Sequence, residues 1–221
     1  MPHIIGIMGA LGAGKTTVAS MMAWRIKNAV EARGGALTLF ANYDLVGAER
    51  MRTAEDWFRV AEAHGSVCVW DEAHRSFDSR KSLKFDNTLA TEILTFARKM
   101  ASIQIFVTPS VKRLDTRIRE MMEVLIHVRP LGGKGIRLDY YDFQADSFGP
   151  NGQLIHSRFL SGSKVSKIHR LNLFDTHSFV SGFPLPRTER AAEKFMQQLE
   201  DAHNQARRAL YDHRTAESIA L

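Results

Sequence analysis

The segment that most constrains this chain is a glycine-rich stretch near its beginning, Gly9–Thr16, which reads Gly-Ala-Leu-Gly-Ala-Gly-Lys-Thr. An apolar run, Ile4–Met8, precedes it, and apolar residues at helical spacing follow it from Val18 to Val30. Between a strand and a helix, the spacing G-x-x-x-x-G-K-[ST] lets backbone N–H groups surround phosphate oxygens at a helix N-terminus, whose dipole favours negative charge. The sequence therefore predicts an α/β fold with a phosphate site after its first strand.

The residues of this loop have expected parts in binding ATP and Mg²⁺. We expect Lys15 to reach the β- and γ-phosphates and the hydroxyl of Thr16 to bind Mg²⁺, a cation that prefers hard oxygen ligands. Thr17 offers a second hydroxyl. The expected nucleotide-binding residues are Gly9, Ala10, Leu11, Gly12, Ala13, Gly14, Lys15, Thr16 and Thr17.

A second apolar run, Val67–Trp70, ends on two carboxylates, Asp71 and Glu72. An acid at the carboxyl end of a parallel strand points into the crevice in which the phosphate loop also lies. We therefore expect Asp71 to hold Mg²⁺, directly or through water, and Glu72 to accept a proton from the attacking water. A solvated strand end is the alternative for an isolated Asp-Glu pair, and the phosphate loop upstream favours the catalytic interpretation.

A third polar strand end is Thr108, which follows the apolar run Ile103–Val107 and precedes Pro109. Its hydroxyl could contact a γ-phosphate or cap the following turn, and composition favours neither role. Thr108 is therefore a candidate catalytic residue with two open interpretations.

Further elements are predicted along the chain. Strands are expected at Ala36–Ala41, Val124–Arg129 and Ile136–Phe143, with short strands near Leu154–Leu160 and Ile168–Phe174. Helices are expected from a Thr53 cap to near Gly65, at Leu89–Lys99, at Asp115–Met122 and, with an amphipathic pattern, at about 187–213. The polar residues 74–87 are expected to form an exposed loop or short helix beside the site.

Length and composition predict one soluble domain, with a core at about 1–130, a β extension at about 131–183 and a terminal helix. The apolar runs are too short for a membrane span, and Met1-Pro2-His3 lacks the basic start of a secretory signal. The single Cys68 cannot form an intrachain disulfide. A reducing, cytoplasmic setting is expected.

Of the net charge of +6, a local +4 falls in residues 71–140, which carry 13 Lys or Arg against 9 Asp or Glu and contain two short basic clusters. Such clusters suit a polyanion, although a solvated face is the alternative. They consist of Arg75, Arg80, Lys81 and Lys84, and of Lys112, Arg113, Arg117 and Arg119.

The chain resembles the FtsK/HerA superfamily of DNA-pumping ATPases, and within it the small viral genome-packaging ATPases and the related Zot-type phage assembly proteins. The stretches that carry this resemblance are Gly9–Thr16, Val67–His74 and Phe96–Ser110. It implies a RecA-like P-loop NTPase: a mostly parallel sheet flanked by helices, with an added β-hairpin and a C-terminal helix.

The resemblance also implies further site residues. Arg98 is similar in place to an arginine that, in this superfamily, acts catalytically on the nucleotide of a neighbouring subunit. Pro109 stands where a sensor glutamine usually follows the strand threonine, and this departure leaves Thr108 or Ser110 as substitutes.

The function implied is an ATP-driven motor that moves double-stranded DNA, without sequence preference, into a preformed viral capsid. It would form a homo-oligomeric ring, a pentamer or hexamer, on capsid portal or packaging-vertex proteins in the host cytoplasm. One alternative is a Zot-like ATPase that extrudes single-stranded DNA with a membrane partner, although such proteins usually carry a membrane segment. Others are a nucleoside or nucleotide kinase, for which one Cys cannot supply the usual zinc site, and a nucleotide-binding switch that does not pump.

Overall fold

The computed structural model describes residues 3–77, 84–145, 151–175 and 178–219, and one sheet of eight strands organises them. The strands are β1 (Ile4–Met8), β2 (Thr38–Ala41), β3 (Ala48–Arg50), β4 (Ser66–Trp70), β5 (Ser102–Thr108), β6 (Val124–Pro130), β7 (Gly135–Asp142) and β8 (Gln153–Ser161). The helices are α1 (Lys15–Glu31), α2 (Asp56–Glu62), α3 (Lys84–Lys99), α4 (Thr116–Glu120), α5 (Gly162–Arg170) and α6 (Glu189–Ile219).

The strand order across the sheet is β3-β2-β4-β5-β1-β6-β7-β8. All pairs from β3 to β6 are parallel, whereas β7 and β8 pair in antiparallel fashion. Met8 of β1 lies beside Thr108 of β5, and Trp70 of β4 lies beside Phe106. The carboxyl ends of these three strands therefore share one edge of the sheet. The predicted α/β fold, a mostly parallel sheet flanked by helices, is confirmed.

The sheet is apolar on both faces. Ile4 and Met8 of β1 point into a core shared with α2, α3, α4 and α6, while Ile5 and Ile7 point into a core shared with α1 and α5. Burial on both faces explains why these parallel strands appear in the sequence as continuous apolar runs. Among the described residues, no helix combines the length and hydropathy needed to cross a bilayer.

The β extension differs from its prediction. The hairpin of β6 and β7 is present, and the short strand predicted near Leu154–Leu160 is present as β8, a third antiparallel strand. The strand predicted at Ile168–Phe174 is wrong, because its first residues form the last turn of α5 and Phe174 makes only an isolated bridge to Leu45. Ser161 caps α5 by accepting a hydrogen bond from the backbone N–H of Lys164, a local signal for a helix.

Three other boundaries depart from expectation. Thr53 does not cap α2; the Asp56 carboxylate instead accepts the backbone N–H groups of Arg52 and Thr53, at 2.7 and 2.8 Å. The short edge strand β3 was not predicted, and α6 extends beyond the predicted helix to Ile219. In the 74–87 segment the described residues form a 3₁₀ turn at Ala73–Arg75 and the start of α3. Arg80 and Lys81 lie outside the described residues.

Candidate nucleotide site

The phosphate loop joins β1 to α1 and packs directly on the neighbouring strand. A Cβ atom on Gly9 would lie 2.5 Å from the carbonyl oxygen of Val128 in β6, which is closer than real atoms approach. Gly14, at the N-cap of α1, has a φ of +87°, a conformation that side chains with a Cβ rarely adopt. The predicted glycines are therefore required by the loop's shape, and the N-terminus of α1 is open toward a bound phosphate.

Lys15 extends back over this loop. Its ammonium group donates a hydrogen bond to the carbonyl oxygen of Ala10, at 2.9 Å. Burial lowers the pKa of Lys15, while the nearby carboxylates of Asp71 and Glu72 oppose the shift. The cation is thus held across the loop, where it can contact phosphate oxygens.

Thr16 and Asp71 meet although they are 55 residues apart in the sequence. The hydroxyl of Thr16 donates a hydrogen bond to Oδ2 of Asp71 at 2.8 Å, and the backbone N–H of Glu72 donates to Oδ1 at 2.8 Å. Burial raises the pKa of Asp71 despite these two bonds. A buried carboxylate beside a hydroxyl fits Mg²⁺, which takes few protein oxygens when a nucleotide supplies the others.

The described residues do not form a metal site from protein ligands alone. Across the part of the chain that the structure describes, no group of three or more His, Cys, Asp or Glu residues could hold a metal ion by itself. Thr16 and Asp71 supply two oxygens, which fits a cation that arrives with phosphate groups.

Asn42, which directly follows β2, positions Asp71. Its side-chain Nδ2 donates to the carbonyl oxygens of Asp71 and Ser181, at 3.0 and 2.8 Å, and its Oδ1 accepts the backbone N–H of Asp71 at 2.8 Å. Only 2% of Asn42 is exposed. These bonds tie the end of β2 to the end of β4, and an asparagine directly after an apolar strand was the sequence signal.

Glu72 lies beside Asp71 with a constrained backbone and a half-exposed side chain. Its φ of +48° lies in the left-handed region, which is uncommon for a residue with a Cβ and often occurs at functional sites. Oε2 of Glu72 accepts an ion-paired hydrogen bond from Arg75 at 2.9 Å. Arg75, which the sequence suggested only as part of a basic cluster, therefore orients the candidate base.

The nucleotide cavity, with a volume of about 840 Å³, contains most of the predicted site. It is lined by residues of the phosphate loop, by Asp71, Glu72 and Thr108, and by α5. Thr108 is fully buried, and its hydroxyl donates to the carbonyl oxygen of Ser110 at 3.0 Å, so it caps the turn after β5 as one of the two predictions proposed.

Two arginines occupy opposite ends of β5. Arg98, the predicted catalytic arginine, lies in the last turn of α3 and does not line the cavity. Arg113, in the 3₁₀ turn after β5, does line it. The structure therefore brings Leu11–Thr17, Asp71, Glu72 and Thr108 together around one cavity, leaves Arg98 outside it and adds Arg113.

We predict that Asp71→Asn raises the free energy of unfolding at pH 7. Burial raises the pKa of Asp71 above its value in the unfolded chain, so the ionised carboxylate destabilises the folded state, and the contribution of Asp71 to wild-type stability falls as pH rises from 3.8 through its raised pKa. The stabilisation of the variant should be larger at pH 7 than at pH 4 in urea unfolding without Mg²⁺. Glu200→Gln, on the exposed side of α6, is the control. An Asp71→Asn protein that is less stable at both pH values would contradict the prediction.

Comparison with solved structures identifies similar folds. The N-terminal domain of zonular occludens toxin from Neisseria meningitidis shares 16% identity with this chain at a TM-score of 0.53, covering 79% of this chain and 100% of the other. The genome packaging NTPase B204 from Sulfolobus turreted icosahedral virus 2, solved with ATP-gammaS, shares 12% identity at a TM-score of 0.44, covering 63% and 92%. At such identities the likeness to the first concerns the fold alone, and the second falls below the similarity that carries an argument.

Sequence comparison is more informative about the family. No curated protein sequence matches the chain. The sequence model of the zonular occludens toxin (Zot) family matches residues 20–166, from within α1 to within α5. The match includes Asn42, Asp71 and Glu72 and begins after the phosphate loop. Because it covers well over half of the residues, the chain belongs to the Zot family, as the resemblance to Zot-type proteins predicted.

Proposed function

We propose that this protein is an ATPase that couples ATP hydrolysis to the movement of DNA during virion assembly. The observation that carries the proposal is the convergence of Lys15, Thr16 and Asp71 in one cavity, with the hydroxyl of Thr16 bonded to the carboxylate of Asp71. Membership of the Zot family, which the sequence resemblance connects with phage assembly, supports the assembly setting.

The proposed mechanism gives each residue one task. Backbone N–H groups of Gly9–Thr16 and the ammonium of Lys15 bind the phosphates of ATP. Thr16 and Asp71 would hold Mg²⁺, which neutralises phosphate charge when bound. Glu72, oriented by Arg75, accepts the proton of the attacking water at its carboxylate.

The direction of DNA movement has two candidates. From the sequence we proposed that double-stranded DNA enters a preformed capsid through a pentameric or hexameric ring at the packaging vertex, in the host cytoplasm. Family membership favours the second candidate, a Zot-type ATPase that extrudes single-stranded DNA with a membrane partner. The two differ in the nucleic acid that should stimulate hydrolysis.

The test is ATP turnover without DNA, with duplex DNA and with single-stranded DNA of the same length. We expect release of ADP and phosphate without any nucleoside acceptor, and faster release with one form of DNA. Stimulation by duplex would favour packaging, and stimulation by single strands would favour extrusion. Hydrolysis that neither form of DNA changes would contradict the motor and leave a nucleotide-binding switch, and a requirement for a nucleoside acceptor would indicate a kinase.

A further inference from the structure

Helix α5 has an inner side that reaches the nucleotide cavity. Val165 and Ile168, which are three residues apart, pack against the core between the sheet and α1. Val165 and His169 also line the nucleotide cavity, together with Lys15 and Thr16. The inner side of α5 is therefore occupied by contacts within the chain.

The outer side of α5 is basic. Lys164, Lys167 and Arg170 are spaced by three residues, so they lie along one side of the helix, and all three are exposed. None of them forms an ion pair within the described part of the chain. Arg158, exposed on the adjacent strand β8, adds a fourth cation. We call these four residues the α5 basic surface.

The sequence around this surface contains no compensating acid. Between Asp146 and Asp175 the chain has four Lys or Arg residues and no Asp or Glu. An ordinary solvated helix looks different, as α6 shows: its exposed Arg190 and Lys194 alternate with Glu189 and Glu193. An uncompensated row of cations instead favours a polyanionic ligand.

The packing of α5 favours a nucleic acid over a membrane as the ligand of the α5 basic surface. A basic helix that binds a bilayer inserts its apolar side between the lipids. In α5 that side, with Val165 and Ile168, already packs against the protein core. Within α5 the exposed side chains are all polar, namely the three cations with Ser163, Ser166 and His169, which suits the phosphate backbone of a nucleic acid in water.

We propose that the α5 basic surface binds the phosphate backbone of the DNA that this ATPase moves. The proposal rests on the proposed function and adds where the DNA is held. It also places DNA and nucleotide on opposite sides of one nine-residue helix, since Val165 and His169 line the nucleotide cavity. A shift of α5 would therefore be felt at both ligands.

The experiment measures DNA affinity against salt for the full chain with labelled duplex and single-stranded oligonucleotides. The test variant is Lys164→Gln/Lys167→Gln/Arg170→Gln, and the matched control is Arg190→Gln/Lys194→Gln/Arg208→Gln, which removes the same charge from exposed positions of α6. Each lost phosphate contact lowers the log–log salt slope by about 0.9 for duplex or about 0.7 for single strands. We expect the slope to fall by about 2 to 3 and the affinity to decrease for the α5 variant, with no change for the control.

Folding is tested by a charge-conserving variant, Lys164→Arg/Lys167→Arg/Arg170→Lys, which should bind DNA as the wild type does. Loss of DNA binding in that variant would show that helix shape rather than charge matters and would overturn the proposal. Unchanged ATP affinity in the Gln variant would confirm that the nucleotide cavity is intact.

The other outcomes separate this proposal from the proposed function. If the wild type binds DNA and the α5 Gln variant binds equally well, the surface is wrong and the motor stands. If the wild type binds neither oligonucleotide with or without ATP, the proposed function fails and this proposal fails with it. If the variant loses binding to vesicles containing phosphatidylserine but keeps DNA binding, the surface serves a membrane and the proposal is overturned.

Discussion

Arg98→Ala should bind ATP as the wild type does and hydrolyse it roughly 10³–10⁵ times more slowly, the usual effect of removing an arginine finger. The structure determines how Arg98 must act. It precedes β5, whereas the phosphate loop lies near the other end of that strand, and the seven residues of β5 span about 20 Å. Arg98 is therefore outside the reach of its own nucleotide, and any catalytic role requires a neighbouring subunit.

A mixing experiment measures this role. Arg98→Ala subunits keep an intact Glu72 site, and Glu72→Gln subunits keep an intact Arg98, so mixed oligomers should regain part of the ATPase activity. Arg113 provides the matched control because it lines the cavity of its own chain. If Arg113 contributes to hydrolysis, Arg113→Ala mixed with Glu72→Gln should stay inactive, since every site then lacks one residue.

Two results would contradict a role of Arg98 between subunits. If mixtures of Arg98→Ala and Glu72→Gln subunits stay inactive although mixed oligomers form, Arg98 is not a finger that acts between subunits. If Arg98→Ala alone hydrolyses ATP at the wild-type rate, Arg113 becomes the remaining arginine candidate for stabilising charge on the transferred phosphoryl group.

Glu72→Gln should hydrolyse ATP about 10²–10⁴ times more slowly than the wild type, the usual effect of removing a positioned general base, while ATP binding persists. Lys15→Ala should instead lose ATP binding, because Lys15 is expected to contact the phosphates. Nucleotide affinity measured by fluorescence, together with phosphate release in a single turnover, distinguishes the two defects. Glu55→Gln, at the N-cap of α2, is the control.

The substitution of Glu72 is mild by design. Glutamine keeps the length of the side chain and an oxygen that can accept the hydrogen bond from Arg75, so the fold around the αL backbone should remain. A Glu72→Gln enzyme with near-native turnover would assign the base to another group. The phenotype of ATP binding without hydrolysis then could not be attributed to Glu72.

The parts of the site predicted from the sequence are those whose chemistry is local. The spacing of the glycines predicts the shape of the phosphate loop. The position of Asp71 and Glu72 directly after a fully apolar strand predicts that they lie at a strand end. Parallel pairing brings these strand ends to one edge of the sheet. The hydroxyl of Thr16 and the carboxylate of Asp71, 55 positions apart in the sequence, therefore come within 2.8 Å of each other. The strands β1, β2, β4, β5 and β6 were predicted because each is a largely apolar run, and β7 was predicted from the partial alternation of Ile136–Phe143.

Other features depend on partners distant in sequence, and single-sequence patterns do not contain them. Asn42 looks like a turn residue until its amide is seen to bond the backbone of Asp71 and of Ser181, 139 residues away. The helix α5 was not predicted, and its last residues were assigned to a strand at Ile168–Phe174, because its apolar residues are few and its apolar side is recognisable only against α1. Arg113 lines the cavity because of the course of the turn after β5, and the sequence pattern did not predict the shape of that turn.

The contact between Gly9 and Val128 joins the phosphate loop to β6, and β6 in turn pairs with β7 of the β extension. The loop has no spare space against β6, since even a Cβ atom would lie 2.5 Å from the Val128 carbonyl oxygen, and a Cβ on Gly14 would lie 2.9 Å from Ile136 of β7. A shift of the loop toward β6 or β7 would therefore displace these two strands. Because β7 also pairs with β8 and contacts α5, a displacement that begins at the phosphate loop would reach α5 through the antiparallel strands.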